Sequence, residues 1–233
     1  MDGKQFAVIA GNMPEELKNN IKNQGFVPLD SCKVNELDTP VCFHPDLQII
    51  KLQNACYTAK NCYFHYRDLF DKNGVKSELF AAENNVFSPY PNDCLLNVTV
   101  LENCILKGKT TPCLPEFSDF KIIECNQGYA GCSVLKLSDS AVITDDATVF
   151  KALKQNGTDC LYLPKRKVYL EGFNCGFIGG AGFSFENRVY FFGCLEQFEY
   201  FNEISDFCAA HGFETVSLSD KKLTDYGKAV VIF

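Results

Sequence analysis

Arginine is scarce in this sequence of 233 residues, where only Arg67, Arg166 and Arg188 occur. The 29 acidic side chains outnumber the 22 basic ones and give a formal net charge of -7. Binding to a nucleic-acid backbone needs clustered lysine and arginine, so no nucleic-acid partner is predicted. The one basic run, residues 165–167, is interpreted as a solvated loop. The acidic balance instead favours a small cationic ligand over an anionic one.

Long hydrophobic runs are also missing. No segment approaches the roughly 20 apolar residues of a membrane-spanning helix, and residues 1–5 lack the basic start and apolar run of a secretory signal. No membrane partner is therefore predicted, and a cytoplasmic location is expected. Apolar residues make up 46% and charged residues 22%, which is typical of a globular protein. A chain of this length can bury a sizeable core, so residues 1–233 are predicted to form one domain.

The thirteen cysteines include no Cys-x2-Cys pair. The closest spacings are Cys56 to Cys62 and Cys125 to Cys132, so no metal site is predicted, and a thiol redox protein is the least favoured function. The number of cysteines is odd, and several, such as Cys160, lie within apolar runs. They are interpreted as reduced thiols that pack as small hydrophobic side chains.

The sequence does contain a repeated pattern, in which an amphipathic helical stretch ends at a glycine and passes into a short apolar strand. It occurs around Gly25, Gly74, Gly157 and Gly212, where a helix C-terminus needs a left-handed residue. The third glycine follows the second by nearly two repeat lengths, which predicts that one module has lost its helix. Asp145 is predicted to be the N-cap of the helix that ends near Gly157.

Each module is also predicted to contain a β-hairpin with a polar turn. The predicted hairpins span residues 41–52, 94–106, 132–144 and 177–192, and their turns lie at 44–46, 102–103, 138–140 and 186–187. A fifth sheet is predicted from the strands at the two ends of the sequence, 6–9 and 229–233, since their pairing would remove exposed edges.

The predicted fold class is therefore α/β, as a pseudo-five-fold α/β propeller of ββαβ modules closed by pairing of the N- and C-terminal strands. The alternative is a doubly wound parallel sheet. That fold needs a helix between successive strands, and the hairpins at 94–106 and 132–144 do not supply one.

Three loop sequences carry a resemblance to a known fold: Gln-Gly-Tyr-Ala-Gly-Cys-Ser at 127–133, Gly-Phe-Ile-Gly-Gly-Ala-Gly at 176–182 and Leu-Thr-Asp-Tyr-Gly at 223–227. Together with the module order, they resemble the pentein or guanidino-group-modifying-enzyme fold of arginine deiminases, amidinotransferases and dimethylarginine hydrolases. More narrowly, they resemble an uncharacterised bacterial family of that fold. The resemblance covers nearly the whole chain.

In the catalytic relatives, a cysteine of the last hairpin attacks the guanidinium carbon, a histidine of an earlier hairpin carries protons, and carboxylates hold the cation. Here the last hairpin has no cysteine and opens with Asp225, and the hairpin expected to supply the histidine begins Gly131-Cys132. The resemblance thus implies that the usual catalytic cysteine and histidine are absent. Cys132 is the remaining candidate nucleophile, with Lys228 expected to stabilise its thiolate.

Asp93, which follows Asn92, resembles the loop that contacts guanidino groups in these relatives, although an aspartate before a hairpin also commonly caps a turn. Asp93 and Asp225 are predicted to hold a cation, with Asn92 beside them. Gly179 and Gly180 are interpreted as backbone near the ring centre, which either contacts a ligand or relieves crowding. A strand-like segment follows this glycine run, so it is not a dinucleotide-binding loop, and no cofactor is predicted.

Two functions remain open. The first is a pentein-like enzyme or binder that acts on a small cationic guanidino or amino compound. The alternative is a non-catalytic interaction protein on the same scaffold, as the eukaryotic ribosome anti-association factor is. Such a protein would present an exposed aromatic patch, for which the candidates are Phe191, Phe198, Tyr200 and Phe201.

Overall fold

The computed structural model describes residues 4–232, which form a mixed α/β structure with five small three-stranded sheets. The strands are β1 (Gln5–Ile9), β2 (Phe26–Asp30), β3 (Ile49–Leu52), β4 (Ala55–Thr58), β5 (Glu78–Ala81), β6 (Thr99–Leu101), β7 (Cys104–Gly108), β8 (Lys121–Cys125), β9 (Val134–Lys136), β10 (Ala141–Thr144), β11 (Asp159–Tyr162), β12 (Gly182–Phe185), β13 (Arg188–Phe191), β14 (Glu214–Ser217) and β15 (Val230–Ile232). The sheet orders are β15-β1-β2, β3-β4-β5, β6-β7-β8, β9-β10-β11 and β12-β13-β14.

Every sheet has the same internal arrangement. Its middle strand pairs with one neighbour in the antiparallel sense and with the other in the parallel sense. The parallel partner requires a crossover, which α1 (Glu15–Asn23), α2 (Tyr63–Asn73), α3 (Ala147–Gln155) and α4 (Phe201–Ala210) provide in four sheets. The β7–β8 connection contains only the short 3-10 turn Pro115–Phe117. The predicted module without a helix is therefore confirmed.

The four glycines of the repeated pattern end these helices as predicted. Gly25, Gly74, Gly157 and Gly212 have φ angles of +94°, +69°, +84° and +78°, values that a residue without a β-carbon adopts freely. At the other end of α3, the prediction was wrong by one residue. The carboxylate of Asp146, and not that of Asp145, accepts hydrogen bonds from the first-turn N–H groups.

The terminal strands pair as predicted, because β1 and β15 are antiparallel with Phe6 opposite Ile232. Phe233, the last residue of the predicted strand, lies outside the described residues. Each sheet among residues 4–232 contains three strands only, and no hydrogen-bonded sheet closes on itself. A doubly wound parallel sheet is excluded, because every sheet mixes parallel and antiparallel pairs.

Three of the four internal hairpins turn where predicted, at 102–103, within 137–140 and at 186–187. The prediction for residues 41–52 was wrong. The turn there falls at 53–54, between β3 and β4, and Gln53 has a φ of +52°. The segment around His44 instead forms a 3-10 turn, Pro45–Leu47, that leads into β3. The polar residues of this segment were predicted to form a hairpin turn, whereas the structure buries His44 and Asp46.

The predicted exposed aromatic patch is also wrong. Phe191 is fully buried in β13 and Tyr200 is 8% exposed, while Phe198 and Phe201 pack against the same hydrophobic cluster. These side chains belong to or pack against one hydrophobic cluster, because burial of large apolar side chains is the main favourable term in folding. None of the helices within residues 4–232 has the length and apolar character needed to cross a bilayer.

Candidate functional site

Polar side chains of the candidate site come from the segments that lead into the first strand of a sheet, which we call lead-in segments. His44 and Asp46 precede β3, Asp93 precedes β6, Cys132 precedes β9 and Asp225 precedes β15. All five side chains are buried, with at most 5% of their surface exposed. Since burial of polar groups is costly without partners, these five side chains on four lead-in segments define the candidate site.

A cavity of about 460 Å³, called the thiol cavity here, opens at this convergence. It is lined by the carboxylates of Asp93 and Asp225, the thiol of Cys132 and the imidazole of His44. Aromatic side chains form much of the remaining wall, namely Tyr90, Tyr129, Phe173 and Phe177. An apolar wall with a few convergent polar groups is the usual composition of a small-molecule site.

The Cys132 thiol is a hydrogen-bond donor at the base of this site. Its Sγ lies 2.7 Å from Oδ2 of Asp46, and it accepts a hydrogen bond from Nδ2 of Asn97 at 3.1 Å. Burial, followed by the nearby charges of Asp46 and Asp225, raises the pKa of the thiol well above its usual value. The resting group is thus a protonated thiol, and Asp46 is the carboxylate placed to accept its proton.

His44 and Asp46 are candidate site residues that sequence reasoning missed. Together with Cys132, each offers one atom to a group in which all ligand-type atoms lie within 4.8 Å of one another. Nδ1 of His44 is 3.9 Å from Oδ1 of Asp225. The sequence held no signal for this, because Asp46 and Cys132 lie 86 residues apart in the chain.

Asp225 lines the thiol cavity together with Asp93, and its cation-binding role stays a prediction. Its Oδ2 accepts a hydrogen bond from the Phe177 N–H, and its Oδ1 accepts one from the Gly227 N–H, both at 2.9 Å. Burial raises the pKa of this carboxyl group, although His44 and the two N–H donors act in the opposite direction. Asp225 therefore presents a rigidly held carboxyl group to the thiol cavity.

Asp93 lines the same cavity, and the hydroxyl of Tyr129 donates a hydrogen bond to its Oδ2 at 2.6 Å. Asn92 does not accompany it. The Asn92 side chain donates to the carbonyl oxygen of Pro89 and faces a different cavity, so the structure separates the two predicted neighbours. The ligand-binding role predicted for Asn92 gains no support from this placement.

Gly179 and Gly180 lie next to the backbone of Cys132 and the carboxylate of Asp225. The Gly180 N–H donates to the carbonyl oxygen of Cys132 at 3.0 Å. A β-carbon on Gly179 would stand 2.5 Å from that same carbonyl oxygen, and one on Gly180 would collide with the Asp225 carboxylate. Both glycines thus let the lead-in segments of β9, β12 and β15 approach closely, and direct ligand contact by them stays a prediction.

Lys228 interacts electrostatically with Cys132 and Asp46, as predicted for the thiol, but its hydrogen bond goes elsewhere. Its Nζ donates to the carbonyl oxygen of Val134 at 3.3 Å. Burial lowers the pKa of this amine to about 8. Lys228 and Asp46 line a second cavity of about 490 Å³, whereas Cys132 lines the thiol cavity. The contact between Cys132 and Asp46 thus lies between the two cavities.

Comparison with models of known protein families finds a match for this chain. Residues 8–230 match the family described as "Family of unknown function (DUF6873)". The chain belongs to this family. The comparison with curated protein sequences finds no match.

Solved structures of guanidino-modifying enzymes share the fold. An amidinotransferase of the saxitoxin biosynthetic pathway from Microseira wollei matches with a TM-score of 0.60 and 14% identity, over 98% of this chain and 94% of that one. The agmatine deiminase of C. jejuni matches with a TM-score of 0.60 and 12% identity, over 99% and 92%. Inosamine-phosphate amidinotransferase from Streptomyces griseus matches with a TM-score of 0.57 and 12% identity, over 92% and 76%. The predicted resemblance to the pentein fold is confirmed, and identities this low show the fold alone.

Arg166 corrects the interpretation of residues 165–167 as a solvated loop. In this DUF6873 chain, its guanidinium donates to Oδ2 of Asp146 at 2.6 Å and lies 4.5 Å from the centre of the Phe177 ring. Its Nε is 4.0 Å from Oδ1 of Asp145. Lys165 and Lys167 are exposed, as predicted. Arg166 was misassigned because ion pairs distant in sequence have no local signal.

Asp145 gives a pH-dependent prediction. Burial raises the pKa of its carboxyl group to about 7, against the Ile178 N–H bond and the Arg166 charge. Because this value exceeds the unfolded one of about 3.9, the folded state binds more protons, and stability falls as pH rises from about 4 to about 7. The free energy of unfolding of Asp145→Asn lacks this pH dependence. Relative to the parent chain, we expect it to rise by about 2–4 kcal/mol across this pH range, as measured by urea unfolding.

Asp146→Asn is the matched control, because the pKa of Asp146 is shifted in the opposite direction to that of Asp145. Burial alone would raise the pKa of Asp146, but hydrogen bonds from Thr148 and Gln127 together hold it below the usual value. This carboxylate therefore stabilises the fold above its unfolded pKa, and the contribution is lost as pH falls. Equal pH dependence of Asp145→Asn and the parent chain would contradict the assignment of Asp145.

Proposed function

We propose that this protein binds a small cationic guanidino or amino compound in the thiol cavity, and that Cys132 is positioned to attack it. The proposed scaffold is a pseudo-five-fold propeller in which the lead-in segments surround a common axis. One observation carries the proposal: the buried carboxyl groups of Asp93 and Asp225 line the same cavity as a buried thiol. This arrangement combines negative charge with a nucleophile, which the chemistry of a cationic substrate requires.

The charge of the cavity favours a cation. Asp93 is held by the Tyr129 hydroxyl and Asp225 by two backbone N–H groups, which are neutral donors. A buried carboxylate is costly unless it is paired, so a cationic ligand between these two groups would be strongly favoured. Burial raises the pKa of Asp225, and a bound cation would act in the opposite direction by favouring the charged carboxylate.

The aromatic wall supports the same ligand class. The Tyr129 and Phe177 ring centres are 6.0 Å apart, and Tyr90 lies 5.9 Å from Tyr129. Aromatic faces attract guanidinium and ammonium groups. The Phe177 ring already carries the guanidinium of Arg166 at 4.5 Å. A cationic ligand can therefore find both carboxylates and ring faces in one cavity.

The proposed chemistry begins at the Cys132 thiol. Its proton passes to Asp46, which is 2.7 Å away, and the sulfur attacks the carbon of the amidine-like group. A carbon–sulfur bond forms, and one carbon–nitrogen π pair moves onto nitrogen. The pKa of the thiol is raised, so this proton transfer is essential, and His44 lies within 4.8 Å as a second proton carrier.

Peptide-mapped labelling tests this proposal. The probe is chloroacetamidine, whose cationic amidine resembles a guanidino group, and neutral iodoacetamide is its counterpart. We expect the ratio of amidine to neutral labelling to be at least about tenfold higher at Cys132 than at the exposed Cys113, because a pocket of opposite charge concentrates its ligand. Asp93→Asn should reduce amidine labelling of Cys132 while neutral labelling persists.

Slow labelling by both probes with no preference for Cys132 would contradict the proposal. That result would favour the alternative of a non-catalytic interaction protein. The aromatic patch predicted for such a protein is buried, and two exposed aromatic residues of the structure, Tyr90 and Phe173, instead border the thiol cavity. The ligand-binding function is therefore the better supported one.

A further inference from the structure

We infer that His44, Asp46 and Cys132 form a zinc site with three protein ligands and one coordination position open to the thiol cavity. The inference does not depend on the identity of the cationic ligand. Sequence spacing predicted no metal site, because ligands that are distant in the chain leave no spacing pattern. The structure brings one imidazole, one carboxylate and one thiol together from two lead-in segments.

The geometry of the group suits a tetrahedral ion. Each residue offers one ligand atom, and all of these atoms lie within 4.8 Å of one another. Around zinc, with bonds of about 2.0–2.3 Å, ligand atoms lie about 3.4–3.6 Å apart. The 2.7 Å hydrogen bond from Cys132 Sγ to Asp46 Oδ2 would be lost when the ion enters, because the thiol proton leaves.

The Asp46 carboxylate carries an independent indication of a missing partner. Its Oδ1 is buried and has no hydrogen-bond partner within residues 4–232, although the side chain is only 5% exposed. Buried polar atoms are nearly always paired, and each exception calls for an explanation. An ion bound through Oδ1, with the thiolate and the imidazole as the other two ligands, would satisfy this unpaired oxygen.

The surroundings of the three residues match those of metal ligands. Asn97 donates a hydrogen bond to Cys132 Sγ at 3.1 Å, and Asp225 Oδ1 lies 3.9 Å from Nδ1 of His44. Such outer contacts orient ligands and are a regular feature of metal centres. A mixed set of sulfur, nitrogen and oxygen suits zinc, whereas calcium and magnesium prefer oxygen alone. His44 and Cys132 line the thiol cavity, which gives the ion a path of entry.

Metal binding and thiol chemistry exclude each other at this site. Zinc binds the thiolate, so the Cys132 proton must leave when the ion enters, and the coordinated sulfur no longer attacks a ligand. The metal would therefore block the labelling of Cys132 proposed above. It would leave Asp93 free, because that carboxylate is not among the three ligands.

Direct metal titration tests the inference. Reduced, chelator-treated full-length chain is titrated with Zn²⁺ in competition with a chromogenic chelator, and with Co²⁺ to detect the thiolate-to-cobalt absorption band. We expect one equivalent to bind the parent chain and Cys208→Ser, a variant that removes a buried thiol in α4. Cys132→Ser and Asp46→Asn should bind at least about 100-fold more weakly, since even outer-sphere changes cost 10–100-fold.

The outcomes separate this inference from the proposed function. Absence of a saturable site in the parent chain overturns the metal site, and this result does not depend on whether any variant folds. Equal zinc affinity in the parent chain and in folded Cys132→Ser overturns it as well. Asp93→Asn should keep the metal while losing selective amidine labelling. Zn²⁺ should also protect Cys132 from iodoacetamide while the exposed Cys113 still reacts. Undiminished labelling of Cys132 at saturating Zn²⁺ would likewise contradict the site.

Discussion

Asp93→Asn is expected to weaken binding of a cationic ligand by a factor of about 30 to several thousand, which corresponds to about 2–5 kcal/mol for one partner of a buried charged pair. The measurement is calorimetry with agmatine, L-arginine and the guanidinium ion as probes. Asp93 is the cleaner of the two anchors, because an asparagine oxygen can still accept the Tyr129 hydroxyl proton. Asp225→Asn should weaken binding as strongly. It should also lose one of the two hydrogen bonds that backbone N–H groups donate to the Asp225 carboxylate, because an amide has only one oxygen.

Asp38→Asn is the matched control for this experiment. Asp38 also lines the thiol cavity, yet it is exposed to solvent. Water and salt screen an exposed carboxylate, so the expected change is about fivefold or less, or about 1 kcal/mol. Equal losses at Asp38 and Asp93 would show that the probes respond to general surface charge. No loss at Asp93 or Asp225, in variants that retain the parent thermal unfolding curve, would remove the proposed anchors.

Gly179→Ala is expected to destabilise the fold by about 3 kcal/mol or more, as overpacking against rigid backbone does. Its new methyl group would stand 2.5 Å from the Cys132 carbonyl oxygen and would also collide with the Val134 carbonyl group. Two lead-in segments would have to move apart, because neither contact is with a flexible side chain. Urea unfolding of the variant and the parent chain measures the difference.

Gly157→Ala provides the comparison. This glycine has a φ of +84°, and no atom lies within 4 Å of the position that a β-carbon would take, so the substitution strains the backbone without a collision. A left-handed residue with a β-carbon costs about 1–2 kcal/mol. A loss at Gly179 no larger than at Gly157 would mean that the segments before β9 and β12 do not pack as closely as the structure shows.

Local signals explain the parts of the fold that could be predicted. A glycine at a helix C-terminus, or a polar pair between two apolar runs, acts over a few residues through backbone conformation and hydrogen bonding. The terminal strands were predictable from hydrophobic ends that need partners, and β1 pairs with β15 as expected. Asp93, Cys132 and Asp225 could be proposed because the resemblance to the pentein fold points to the starts of these hairpins.

His44 and Arg166 show where such reasoning stops. His44-Pro45-Asp46 has the composition of an exposed turn, and Arg166 lies in a basic run typical of a solvated loop. Both side chains instead lie close to carboxylates from other segments of the chain, His44 to Asp225 and Arg166 to Asp146. The aromatic residues around Tyr200 were misassigned for the same reason, since burial depends on what packs opposite.

The amino-acid sequence by itself determined the modules of this protein, because helix ends, turns and alternating apolar residues are encoded within a few neighbouring positions. Only the tertiary structure decided which polar side chains share the thiol cavity. The Cys132 thiol meets the Asp46 carboxylate across 86 residues of chain. That contact, and the raised pKa of the thiol, exist because separate lead-in segments are packed into one water-poor centre, where each charge acts on its neighbours with little screening.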